Sequence, residues 1–136
     1  MLNLLWGALL LMLADPFLGT WKLRADKAGA ASGFESYVVT VTATDRGQKW
    51  SYDFVVKGMS QHMKPVILVD RKTSTFKYFT EDGQVVGQGK IIMKAPTEWE
   101  VDAPNLKSRT SLSPDGKTMT VVNGGPKPIT LVLDKQ

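Results

Sequence analysis

The chain contains no cysteine. Disulfide staples, zinc-thiolate sites and thiol nucleophiles are therefore excluded, and hydrophobic packing has to hold the fold together. Histidine is almost as scarce, with His62 the only one in 136 residues. A Ser-His-Asp catalyst would have to run through that imidazole, and a multi-histidine metal site lacks its ligands within one chain. These absences point away from an enzyme and imply neither a cofactor nor a metal. Neither sign of charge dominates either: seventeen Lys and Arg against thirteen Asp and Glu give a net charge of +4. So small an excess does not by itself require a nucleic-acid partner. What the chain does have is 43% hydrophobic residues, in a length suited to one globular domain.

Much of that apolar content is concentrated at the start. Residues 1–14, MLNLLWGALLLMLA, carry no charge, and only Asn3 and Gly7 fall outside the apolar set. At ~1.5 Å per helical residue this stretch spans ~21 Å, short of the ~30 Å hydrocarbon core of a bilayer. A stable membrane span is not expected. The segment reads as a signal peptide cleaved after Ala14, which places the mature domain at 15–136 and the protein in a secreted or periplasmic location. The alternative is a retained plug or a membrane-touching helix.

Beyond Asp15 the chain alternates apolar and polar residues in short runs broken by Gly, Pro, Asn and Asp. That is the pattern of an antiparallel meander, with strands expected near 17–25, 35–45, 48–57, 66–69, 74–80, 85–94, 97–102, 107–113, 118–123 and 129–135. Side chains two apart share a face. One face collects Trp21, Tyr37, Val39, Val41, Trp50, Tyr52, Phe54, Phe76, Tyr78, Trp99, Val121, Leu131 and Leu133, while Thr40, Ser51, Asp53, Lys77, Glu98, Glu100 and Asp102 fall on the other. A sheet with one apolar face has to curl or double over to hide it, and full closure also removes unpaired edges. The expected fold is all-β, an antiparallel up-and-down barrel of 8–10 strands.

The opening Asp15-Pro16-Phe17-Leu18-Gly19-Thr20-Trp21-Lys22-Leu23 resembles the first strand of the calycins, the lipocalins and fatty-acid-binding proteins, which carry Gly-x-Trp there. The hairpin Ser113-Pro114-Asp115-Gly116-Lys117-Thr118-Met119-Thr120-Val121 adds a second match, and with the leader the chain is similar to small exported bacterial lipocalin-like proteins of unassigned function. The resemblance implies that Gly19 permits a close backbone approach and that Trp21 seals the narrow end of the barrel. It also implies an apolar ligand. The Arg-x-Tyr carboxylate clamp of the fatty-acid-binding proteins is missing from the final strand, which ends Leu131-Val132-Leu133-Asp134-Lys135-Gln136. Their helical lid is replaced by a short Ala/Gly/Ser-rich segment between Arg24 and Phe34. The lipocalin arginine that packs over the Gly-x-Trp indole has no clear counterpart near the C-terminus.

The candidate ligand-binding residues are Tyr52, Phe54, Phe76, Tyr78 and Trp99, the phenols of Tyr52 and Tyr78 supplying specificity because a buried hydroxyl needs a partner. The same inward bulk would equally make a solid core, since an eight-stranded barrel is only just wide enough to be filled. Gly87 and Gly89 share the inward parity with Val85 and Ile91, where a larger side chain would block the cavity; the alternative is that they bend the strand to close the barrel, so that substitution would destabilise the fold instead. Met59, His62 and Met63 form an M-x-x-H-M cluster that suits Cu(I), against the plainer reading of apolar caps beside a solvated imidazole. Basic and aromatic residues interleave over 71–79, but alternation turns the rings inward and the lysines outward, so no nucleic-acid platform is expected. The function expected is an exported carrier or scavenger of a small apolar molecule. The alternative is a solid barrel acting as an envelope structural or interaction module.

Overall fold

A computed structural model describes residues 15–25, 33–104, 106–124 and 128–136. The expected leader, 1–14, lies outside the described residues, as does most of the Ala/Gly/Ser-rich segment, 26–32. Among the described residues there is no helix, and ten strands follow in order: β1 (Gly19–Leu23), β2 (Phe34–Ala43), β3 (Gly47–Val56), β4 (Val66–Asp70), β5 (Thr75–Phe79), β6 (Val85–Ala95), β7 (Glu98–Ala103), β8 (Leu106–Leu112), β9 (Thr118–Asn123) and β10 (Ile129–Lys135). Each pairs antiparallel with its sequence neighbour, and β1 pairs with β10, so the sheet closes into an up-and-down barrel.

The registers show why alternation folds this way. Val39 stands opposite Trp21 and Tyr52, Trp50 opposite Val41 and Ile67, and Phe76 opposite Val69, so apolar residues meet apolar residues on the inner face across successive seams. Outside, Lys49 faces Leu68, which in turn faces Lys77, and Glu100 faces Arg109. The row of Glu98, Glu100 and Asp102 thus belongs to a solvated strand face. The closing seam carries an additional tie, because Arg24 donates to Asp134 at 2.8 Å and holds that carboxyl below its ordinary pKa.

Two departures from the expected elements matter. The first strand begins at Gly19 rather than at residue 17, because residues 15–18 form a turn in which the Leu18 N–H donates to the Asp15 carbonyl and the Phe17 N–H to the Asp15 carboxylate. Phe17, freed from the sheet, enters the barrel base and is fully buried. The second departure is at β6, where a bulge opposite Tyr78 and Phe79 shifts the register. Val85 is therefore 54% exposed and does not share the inward face with Ile91.

One end of the barrel is sealed. The Phe17 ring stacks on Trp99 at 5.1 Å and lies 5.9 Å from Trp50. Trp21 is fully buried and its indole N–H donates to the Phe17 carbonyl at 2.9 Å. Polar groups tie this base together. The Asp15 carboxylate accepts from Gln48 and from Arg71, and Gln48, fully buried, accepts from the Trp50 indole at 2.8 Å. Among the described residues every buried side-chain polar atom has a partner, which is the condition for a network to hold a core together rather than weaken it. From the C-terminal end of the chain, the Lys135 ammonium lies 5.5 Å from the Trp21 ring centroid, a cation-π contact.

Candidate functional site

The inward-facing side chains do not fill the barrel. A cavity of about 260 Å³ opens above the aromatic base. Strand number accounts for it, since barrel diameter grows with the number of strands and ten enclose more space than the eight that side chains just fill. Tyr52, Phe54, Phe76, Tyr78 and Trp99 all line this space. Trp50 and Trp99 form its floor above Phe17, their rings 5.4 Å apart. Toward the open end, Phe34, Tyr37 and Phe54 pack edge-to-face and face-to-face at 5.0–5.6 Å.

Four polar lining residues stand outside the expected ligand set: Tyr37, Ser108, Thr110 and Asn123. Tyr37 was legible by parity, since it precedes Val39 and Val41 by two and four residues. The strip on β8 and β9 was also legible, by its charges: Lys107 and Arg109 face out, so Ser108 and Thr110 between them face in. Asn123 pairs directly with Ser108, which puts both on the same wall. By the order of strands around the ring, that wall lies across the barrel from Tyr52 on β3.

No charged side chain lines the cavity among the described residues. The polar groups facing it are neutral and stay neutral, because burial pushes the phenols of Tyr37, Tyr52 and Tyr78 above their ordinary value, and for Tyr37 and Tyr52 a neighbouring phenol adds to the shift. The arrangement offers hydrogen-bond donors and aromatic faces. It offers no carboxylate, imidazole or ammonium to transfer a proton to a bound molecule.

The two glycines singled out in β6 have different surroundings. A Cβ at Gly89 would stand 2.5 Å from the Asp102 carbonyl oxygen and 2.9 Å from both Ala103 Cβ and the Phe76 ring, so Gly89 exists for close packing of β5, β6 and β7. At Gly87 the nearest atom is Tyr78 Cβ at 3.7 Å, an ordinary contact. Only Gly87 has room for a side chain.

In the methionine-histidine segment, Met63 pairs with Phe54 across an isolated bridge. The His62 imidazole meets the Asp53 carboxylate at 2.6 Å, with 58% of the histidine side chain exposed. Met59 and Met63, 54% and 43% exposed, are flexible apolar groups in the loop that borders the mouth. In the basic-aromatic run, Phe76 is buried inside and Lys77 lies outside, while Arg71 turns to Asp15, so the run presents no stacking platform. Among the described residues no helix is long and apolar enough to cross a membrane.

Comparison with protein-family models finds no match, and comparison with the curated proteins finds none either.

Proposed function

We propose that this protein is an exported, lipocalin-like binding protein that carries or scavenges a small apolar molecule in its barrel. The observation that carries this reading is the uncharged cavity of about 260 Å³, sealed at one end and bordered by apolar groups at the other. A dry void of that size would cost on the order of 6 kcal/mol at ~24 cal/mol per Å³, comparable to the whole stability of a typical domain. The space is therefore filled, either by water or by a ligand. Water fills it poorly, because an ordered water wants two to four polar partners and most of this wall is aromatic or aliphatic. An apolar molecule is the better occupant, and binding rather than catalysis suits a cavity without an acid or base. Export rests on residues 1–14, whose length and composition fit a leader.

Titration with N-phenylnaphthylamine, a neutral apolar fluorophore, tests the proposal. The expected result is saturable binding of one probe per folded chain, with quenching of tryptophan emission because Trp50 and Trp99 form the cavity floor. Lack of saturable binding would remove the carrier reading and favour an interaction module that works without a ligand.

A further inference from the structure

The hydrogen-bonding groups of the cavity are not spread evenly. The chain has three tyrosines, and Tyr37 on β2, Tyr52 on β3 and Tyr78 on β5 all line this one space. Tyr37 and Tyr52 meet edge-to-face at 5.9 Å, and Tyr52 lies within electrostatic reach of both other phenols. Among the described residues no protein group is hydrogen-bonded to any of the three hydroxyls, yet none of them is a fully buried orphan. Each hydroxyl therefore keeps some accessible surface on a residue that lines the cavity, and among the described residues none has a hydrogen-bond partner.

The chemistry of that partner follows from what the wall holds and lacks. A phenol has one proton to place, and a desolvated donor left without an acceptor is costly. A carbonyl oxygen has two lone pairs and accepts from two phenols at once without bringing a proton of its own, whereas a ligand hydroxyl that accepts from a phenol adds a further donor that needs an acceptor. A carboxylate would also accept, but it would have to shed its water in a cavity with no cation among the described lining residues. The remaining lining, Trp50, Trp99, Phe54 and Phe76, presents ring faces to a flat molecule. At ~30 Å³ for each water displaced, the space equals roughly nine waters, which is the scale of a small fused-ring compound.

We propose that Tyr37, Tyr52 and Tyr78 form a neutral donor cluster that selects an uncharged, flat aromatic ligand bearing a carbonyl-type acceptor, in preference to acids and to plain hydrocarbons. This inference rests on the cavity-binding reading and adds the ligand class to it.

Three naphthalenes of nearly equal size test it by competition against bound N-phenylnaphthylamine on the full chain at neutral pH: acetylnaphthalene, ethylnaphthalene and naphthoate. Acetylnaphthalene is expected to bind about threefold to tenfold more tightly than ethylnaphthalene, the reach of one or two net hydrogen bonds, with naphthoate the weakest. In the Tyr37→Phe/Tyr52→Phe double variant the ketone's advantage should shrink to about twofold or less while ethylnaphthalene affinity holds, since only hydroxyls are lost. Equal or tighter binding of ethylnaphthalene or naphthoate by the parent protein overturns the inference and leaves cavity binding standing. So does a ketone preference that persists in the double variant with its near-ultraviolet dichroism intact. If the double variant does not fold, the ranking in the parent protein decides alone. Absence of probe binding sinks the cavity reading itself, and this inference with it.

Discussion

Trp21 shows how much one residue carries when three parts of the chain converge on it. Its ring is fully buried between the base turn and the β2 wall, its N–H is satisfied by the Phe17 carbonyl, and Lys135 covers its outer side. These contributions are unequal. A cation-π contact by a surface lysine is worth ~0.5–1 kcal/mol, whereas emptying the site of an indole costs the burial and leaves a hole. Trp21→Ala is therefore expected to lose on the order of 3–5 kcal/mol in chemical denaturation. A loss below about 1 kcal/mol, the scale of ordinary surface changes, would mean that Trp21 does not seal the base. Gly19 belongs to the same construction, since its φ of +134° is a conformation that L side chains rarely adopt, and a Cβ there would press on Lys135 at 3.1 Å.

At the scale of one element, β6 separates two residues that look alike in the sequence. Gly87 and Gly89 have the same parity and share Gln88 as a neighbour, yet only the second is pinned by backbone on the adjacent strand. Gly89→Ala is expected to destabilise by roughly 1–3 kcal/mol, the cost of forcing an extra carbon into packed structure. Gly87→Ala, meeting only Tyr78 Cβ at ordinary contact distance, should change stability by less than about 0.5 kcal/mol. Thermal melts of the two variants side by side make the comparison. If Gly89→Ala melts with the parent, the close approach of β6 to β7 is not what the structure shows. The bulge opposite Tyr78 has the complementary role of rotating Val85 out of the inner face, which keeps a bulky side chain away from the mouth.

Over the whole molecule, the barrel is polar in its organisation along the axis, with a base packed by Phe17, Trp21, Trp50 and Trp99 and a mouth bordered by Phe34, Phe54 and the Met63 loop. The tyrosines lie between, and their ionisation reports on the intact barrel. Burial holds all three phenols above their ordinary value of 10.0, so from about pH 10 upward the unfolded chain gives up phenolic protons that the folded chain retains. The folded state then binds more protons, and its stability falls as pH rises. The phenolate absorbance of Tyr37 and Tyr52 is expected to appear only together with loss of near-ultraviolet dichroism, and that of Tyr78 above the ordinary tyrosine range. A tyrosine that titrates at its ordinary value of 10.0 with the fold intact would contradict the placement of the three phenols inside the barrel.

All ten expected strand positions are occupied by strands, and the inward parity holds through Trp21, Tyr37, Trp50, Tyr52, Phe76, Tyr78, Trp99 and Leu131. These features were legible because alternation and turn residues act within a few positions of one another, and a two-residue period assigns a face before any partner strand is known. Whether that inner face packs solid or leaves a cavity was not a local property. It depends on how many strands join the ring and on the volume left after all their side chains have met, which no single segment carries. The same holds for Phe17 leaving the first strand to plug the base, for Lys135 crossing to Trp21 from the far end of the chain, and for the different fates of Gly87 and Gly89. The sequence by itself determined the strand positions and, apart from Val85 beyond the β6 bulge, the faces of their large side chains. Closure, and with it the meeting of three tyrosines around one space, was decided only by the tertiary structure, because contacts between distant strands exist only once the ring is shut.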